Sequence, residues 1–157
     1  MRRILLGIFA VMTMWAAVTT VSGQAPDPFV GSWKTNIAKS QYDPVTRKPA
    51  FPSTLTRVAA GSGFTVTSKL PERPPHLEYT FNLDGKDYPL KGTTSADSVA
   101  VYRIDANTQV QVRKKDGVAV SMYRQVVSTD GKTFTSFEIG YKAESDSYHN
   151  ILVFDRQ

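Results

Sequence analysis

Three Asp-Gly pairs punctuate the second half of this 157-residue chain, at Asp84-Gly85, Asp116-Gly117 and Asp130-Gly131, each between short runs rich in Val, Thr, Tyr and Phe. Asp-Gly suits the positive backbone angles of a tight hairpin turn, so each pair predicts that the flanking runs fold back antiparallel. Asp105-Ala106-Asn107-Thr108 and Gly61-Ser62-Gly63 supply two more reversals of similar length. The expected strands are Val30 to Lys34, Thr54 to Ala60, Phe64 to Lys69, Leu77 to Asn82, Lys86 to Gly92, Ser98 to Asp105, Gln109 to Lys114, Ala119 to Ser128, Thr133 to Tyr141 and Tyr148 to Asp155. No window of about 12 residues holds a 3.6-residue apolar period, so helices are expected to be minor. A meander of this many strands has two ends to hide, and closing into a barrel leaves no open edge. The expected fold class is all-β, a single up-and-down antiparallel barrel of about 8 to 10 strands.

With 41% hydrophobic and 21% charged residues, the chain has room for one packed domain and is neither disordered nor repeat-built. It has no cysteine, which removes disulfides, thiolate metal sites and a cysteine nucleophile together. Two histidines, His76 and His149, are too few for most metal or triad chemistry. The first 23 residues have the form of a secretory signal: basic Met1-Arg2-Arg3, an apolar run from Ile4 to Val18, and small residues ending at Val21-Ser22-Gly23. Cleavage is expected after Gly23, leaving residues 24 to 157 as the barrel domain, exported to the periplasm or secreted. The apolar run is shorter than the roughly 20 residues a spanning helix needs, so stable membrane insertion is not expected after cleavage. Removing Arg2 and Arg3 lowers the formal charge from +5 to +3, too small an excess to predict a nucleic-acid partner.

Two stretches break the strand pattern. Between Thr35 and Ser53 the chain carries Pro44, Pro49 and Pro52 with Lys39, Arg47 and Lys48, and no periodicity; it is expected to be either a lid over one barrel end or a plain surface crossover. Pro71-Glu72-Arg73-Pro74-Pro75 is expected to be a stiff connector.

Side chains on a strand alternate faces, so position parity assigns candidates to the interior. Leu77, Tyr79 and Phe81 share one face; Phe134, Ser136 and Glu138 share another; Val118, Val120, Met122, Arg124 and Val126 share a third. If the apolar members of that last set point inward, Arg124 does too, and a buried guanidinium needs a carboxylate, water or an anionic ligand. Three readings of Arg124 follow: an anchor for an anionic ligand, an internal ion pair with Glu138, or an exposed position near the rim. The anchor reading expects Arg124→Leu to abolish binding of anionic amphiphiles. Tyr79, Phe81, Tyr88, Tyr102 and Phe137 are candidate pocket walls, or ordinary core. A barrel of about eight or ten strands is wide enough to hold one small ligand, and such pockets are mostly apolar with a few polar groups.

The residues also carry a family resemblance. Phe29-Val30-Gly31-Ser32-Trp33-Lys34 resembles the Gly-x-Trp opening strand of the calycin superfamily, the lipocalins and fatty-acid-binding proteins. Ser121-Met122-Tyr123-Arg124-Gln125-Val126, followed by Asp130-Gly131-Lys132, is similar to the segment in which fatty-acid-binding proteins carry a barrel-internal arginine. Val153-Phe154-Asp155-Arg156-Gln157 resembles their closing strand and that of lipocalins, whose arginine lies over the tryptophan. The resemblance implies a lipocalin-like barrel, with Arg124 as a ligand anchor and with Trp33 and Arg156 tying the first strand to the last. The chain departs from fatty-acid-binding proteins at Leu152, where they carry a second arginine, and in the proline-bearing segment, where they carry two helices.

Two function classes follow. One is a non-catalytic carrier holding a small hydrophobic or amphipathic molecule, with Arg124, Tyr79, Phe81, Tyr102 and Glu138 as its candidate contacts and no cofactor. The other is a filled barrel acting as an envelope structural or interaction module. Haem ligation by His149 is a minor variant of the first, since one imidazole suffices for that cofactor. Enzymatic chemistry has little to rest on: neither histidine lies in a nucleophile motif, and a Glu78 and Glu138 acid–base pair is near chance.

Overall fold

The computed structural model describes residues 26–44, 48–71, 76–141 and 147–157. Among them are eleven strands and no helix: β1 (Gly31–Thr35), β2 (Gln41–Asp43), β3 (Thr54–Ala60), β4 (Gly63–Lys69), β5 (Leu77–Asn82), β6 (Tyr88–Pro89), β7 (Ser98–Arg103), β8 (Thr108–Lys115), β9 (Val118–Val127), β10 (Thr133–Tyr141) and β11 (Ser147–Arg156). They form one antiparallel sheet in the order β5-β4-β3-β1-β11-β10-β9-β8-β7-β6, with β2 added alongside β11. The first and last long strands are neighbours, Trp33 pairing with Arg156 and Thr35 with Phe154. At the two ends of that order, single bridges Glu78–Lys91 and Asp84–Tyr102 join the edges. Glu78 and Lys91 exchange N–H···O bonds of 3.1 Å, and the Gly85 N–H donates to the Val101 carbonyl at 3.0 Å. The result is a nearly closed antiparallel β-barrel, which answers the edge problem by wrapping.

Turn chemistry sets the hairpins. Asp116 and Gly117 join β8 to β9 with φ of 50° and 78°, the paired positive angles of a type I′ turn. Between β9 and β10 the Asp130 carboxylate accepts from the Ser128 hydroxyl at 2.6 Å and the Lys132 N–H at 3.0 Å. One expected strand is much shorter: Lys86 to Gly92 contributes only Tyr88–Pro89. Pro89 has no N–H for a ladder and Gly92 takes φ +85°, so the pairing cannot extend. One strand was not expected, β2, inside the proline-bearing segment; it pairs Asp43, Tyr42 and Gln41 with His149, Asn150 and Ile151. The segment thus adds a short strand to β11 on the edge it shares with β1. The expected connector at 71–75 lies, apart from Pro71, outside the described residues, and so does the expected signal segment.

The barrel interior has two halves. At the lower end, where β1 begins and β11 finishes, Phe29 tucks in ahead of β1 and is fully buried with Trp33, Phe64, Phe81 and Phe134. Their rings meet at centroid distances of 5.6 Å for Trp33–Phe134, 6.0 Å for Phe29–Phe134 and 5.8 Å for Phe64–Phe81, and Phe134 reaches Phe154 at 5.1 Å. Fully burying each such side chain contributes roughly 1.5–3 kcal/mol, so this layer is a main source of stability. Asp27 fastens the plug: its carboxylate accepts from the Phe29 N–H at 2.9 Å and pairs with the Arg103 guanidinium, which itself lies 4.9 Å over the Phe29 ring. The upper half is polar, and it holds the cavity.

Candidate functional site

A cavity of about 210 Å³ opens above the aromatic layer. Its walls include Leu55, Leu77, Leu152 and Phe154, but also Arg57, Tyr79, Arg113, Tyr123, Gln125, Ser136 and Glu138. Alternation delivers these groups. On β3 Leu55 and Arg57 face inward, on β8 Gln109, Gln111 and Arg113, on β9 Ser121, Tyr123 and Gln125, and on β10 Phe134, Ser136 and Glu138.

Arg57 is 2% exposed, held between the Phe29 and Phe134 rings at 5.2 and 4.9 Å from their centroids. Its Nη2 donates to Gln125 Oε1 at 2.8 Å, and Gln109 Nε2 donates to the same oxygen at 2.6 Å. Burial pushes the Arg57 pKa down to about 10, which still leaves a cation at neutral pH. Its Nε and Nη1 have no hydrogen-bond partner among the described residues. Nor have Gln111 Nε2, Arg113 Nε and the Ser136 hydroxyl, all buried. Four of these five atoms are obligate donors and Gln109 Oε1 is a buried acceptor likewise without a partner, so unpartnered donors outnumber acceptors in this interior.

Arg113 has a different setting. Its guanidinium lies 4.6 Å over the Tyr123 ring. Burial works against its charge, whereas Tyr123, Tyr79 and Glu138 favour it, and its pKa is raised. Glu138 accepts from Asn150 Nδ2 at 3.0 Å. The Tyr79 hydroxyl donates to Gln111 Oε1 at 3.2 Å, and burial raises the Tyr123 phenol pKa, so that group stays protonated. Among the described residues, the charges lining the cavity are two arginines and one glutamate.

Of the five residues expected from sequence to touch a ligand, Tyr79 and Glu138 line the cavity. Phe81 faces inward but belongs to the aromatic layer beneath, stacked on Tyr79 at 5.7 Å. Arg124 and Tyr102 are corrections, because both point outward. The inward set on β9 is Ser121, Tyr123, Gln125 and Val127, which leaves Val118 67% exposed, Met122 48% exposed and Arg124 in solvent beside Phe137, 5.8 Å from its ring. The internal Arg124–Glu138 ion pair is excluded with it, since the two side chains lie on opposite faces of the wall. The premise that the apolar members of β9 face the interior fails because this interior is polar on β8 and β9. Tyr102, 46% exposed, lies across the Asp84-Gly85 turn, where a Cβ on Gly85 would come within 2.2 Å of its ring. Phe137 is also outside, and Tyr88 is half-buried with its hydroxyl donating to Asp84 at 3.0 Å. His149 is exposed on the outer face, paired across β2 with Asp43. Trp33 is fully buried, with the Arg156 guanidinium 4.1 Å from its ring. Arg156 Nη1 and Nη2 donate to the carbonyls of Val30 and Pro28 at 2.8 and 2.7 Å, so one side chain joins the last strand to the plug and to β1.

Arg57, Arg113, Gln109, Gln111, Gln125 and Tyr123 did not stand out in the sequence. Their signal is the spacing itself: Gln109-x-Gln111-x-Arg113 and Tyr123-x-Gln125 each put polar groups on one face of a strand.

No protein-family model matches the sequence, and no curated protein sequence resembles it significantly. Solved structures do resemble its fold. A Schistosoma mansoni fatty acid binding protein in complex with arachidonic acid superposes with a TM-score of 0.62 at 15% identity, over 83% of this chain and 96% of the other. Zebrafish ileal bile acid-binding protein complexed with cholic acid gives 0.59 at 14% identity, over 83% and 99%. The wild-type fluorescent protein UnaG gives 0.55 at 17% identity, over 82% and 97%. The chain thus has the fold of the fatty-acid-binding-protein-like calycin barrels. Its interior differs from the sequence expectation, with arginines on β3 and β8 in place of one on β9.

Proposed function

We propose that this protein is a non-catalytic carrier that holds a small amphipathic anion inside its barrel, with Arg57 as the anchor. The observation carrying this reading is a buried guanidinium with two unpartnered N–H-bearing atoms at the edge of a cavity and no carboxylate hydrogen-bonded to it among the described residues. Such a charge is expensive unless something pairs with it, and a bound carboxylate would repay that cost with two charge-assisted hydrogen bonds. Apolar surface from Leu55, Leu77, Leu152 and Phe154 would hold the rest of the molecule. The cavity is smaller than the roughly 300–1,000 Å³ of a typical drug-sized site, which favours a short or compact ligand. The solved barrels named above, two of them in complex with arachidonic or cholic acid, support the carrier reading by fold. Export belongs to the same proposal and rests on the signal-like segment at residues 1–23.

Calorimetric titration with octanoate tests it. Wild-type protein should bind octanoate, and Arg57→Met, checked for folding by circular dichroism, should bind it at least about ten-fold more weakly. Equal affinity in the two proteins would overturn the proposal. A second reading, the filled barrel without a ligand, draws on the Arg57–Gln125–Gln109 hydrogen bonds that already occupy part of the interior. Mass spectrometry of small acids released from natively purified protein separates the two, since a filled barrel would release none.

A further inference from the structure

We infer that the outer face of β7–β11 is the contact surface of a homodimer, in which this apolar panel packs against the same panel of a second copy. The inference concerns the outside of the barrel and is independent of what the cavity holds. It starts from an inversion of wall polarity. On β8 and β9 the buried inward positions are Gln109, Gln111, Ser121, Tyr123 and Gln125, so alternation turns the valines and the methionine of those strands outward. Strand pairing then aligns them. Tyr102, Val110, Arg124, Phe137 and Ile151 form one outer row across five strands, and Val112, Met122 and Ile139 form the next. The opposite wall has ordinary polarity, with Leu55, Val66 and Leu77 inside and the row Thr56, Thr67, Glu78 outside.

The panel has the size of an interface. Tyr102, Ile104, Met122 and Phe137 are 46%, 62%, 48% and 39% exposed. At about 200 Å² for a large side chain, these four leave on the order of 400 Å² of apolar surface open. Half-buried Val110, Val112, Ile139 and Ile151 extend it. A standard interface buries about 800 Å² per partner, a little over half of it apolar, which is close to what the panel offers.

Charge selects the occupant. Arg124 lies mid-row, its guanidinium 5.8 Å from the Phe137 ring, and forms no salt bridge among the described residues. Exposed carboxylates that likewise form none, Asp43, Asp105, Asp116 and Asp130, stand on the panel's margins, with Lys132 beside Asp130. The Asn107 N–H chiefly holds the Asp105 carboxyl below its usual range, and Arg124 contributes least to that shift. An anionic bilayer or a nucleic acid would meet these carboxylates first and is disfavoured. A second copy turned by a two-fold axis brings margin carboxylates toward each Arg124 and apolar rows against apolar rows, and every such contact occurs twice. Two sheet faces pack in this way about 10 Å apart.

Sedimentation velocity on the purified protein, from about 1 to 100 µM, tests the inference. Wild type should pass from monomer to dimer within that range. Met122→Glu and Arg124→Glu each put a charge of the margin's sign into the panel, and each should weaken the dimer at least about ten-fold. Both should keep the wild-type circular dichroism, and Arg124→Glu disturbs folding least because it exchanges one exposed charge for another. Val58→Glu, on the opposite wall where Val58 is 57% exposed, should dimerise like the wild type. A wild type that stays monomeric overturns the inference, whether or not it cosediments with phosphatidylglycerol vesicles or takes a different protein on this face. So does a dimer that survives both panel substitutions, or one that Val58→Glu disrupts equally.

Discussion

The two ends of this barrel are built from the same strands yet do different work. Below, Phe29, Trp33, Phe64, Phe81, Phe134 and Phe154 fill the space with rings, and the N-terminal plug closes it. Above, the same strands turn in arginine, glutamine, serine, tyrosine and glutamate around a cavity. The lower half gains free energy from burial of apolar surface, while the upper half keeps a charge in a place that costs stability. Within a single closed sheet, stability and recognition are thus separated along the strand axis, a few residues apart.

The sharpest way to break that contrast is to remove a ring. Phe134→Ala, which deletes the residue in contact with Phe29, Trp33 and Phe154, should cost about 3–5 kcal/mol in denaturant unfolding. Arg57→Met should do the opposite, losing at least about ten-fold in octanoate affinity while unfolding no earlier than wild type, because a well-packed apolar side chain commonly replaces a buried charge at no cost. If the methionine variant instead lost several kcal/mol, Arg57 would belong to the structural half. Arg156→Ala removes the cation over Trp33 and the bonds to Val30 and Pro28, and about 1–2 kcal/mol of stability should go with it in the same unfolding assay.

A smaller effect is expected at low pH. Asn36 and Lys39 hold the half-buried Asp155 carboxylate below the usual range. A carboxyl whose folded pKa is depressed adds stability above its unfolded value, about 3.9, and loses it as pH falls through the folded one. Asp155→Asn should therefore lower stability slightly at neutral pH and flatten the acid limb of a pH–stability curve below about pH 4, where the variant and wild type converge. The smallest change of all is expected from Arg124→Leu, which alters only the outer wall: octanoate affinity should match wild type, and a loss would contradict the inward set on β9.

Much of the fold was legible because its signals are local. The alternating runs located ten of the strands and Asp116-Gly117 and Asp130-Gly131 their hairpins, but Asp84-Gly85 joins no hairpin, since β5 and β6 lie at opposite ends of the sheet, and Pro89 and Gly92 cut β6 to two residues. Tyr79 and Glu138 were correctly placed on inward faces by parity, because their strands also carry Leu77 and Phe134, whose burial agrees with the ordinary apolar-in pattern. The same reasoning inverted β9. There Val118, Met122 and Val126 outvote Ser121 and Gln125 by hydrophobicity, and nothing within that strand reveals that its polar face is the buried one. Arg57 was hidden for a related reason, as one arginine in a strand where threonine and valine flank it.

What the sequence determined by itself was the class of architecture: short antiparallel strands, hairpins at chosen glycines, and aromatic residues next to the first and last strands. These follow from backbone angles and a two-residue period, properties each segment carries alone. Which face of each strand met the interior was decided only when the strands paired, since a shift of one residue reverses every side chain on a wall. The cavity is a product of that long-range choice, and it is why the arginines that matter lie on β3 and β8, far apart in the chain and joined only by closure of the barrel.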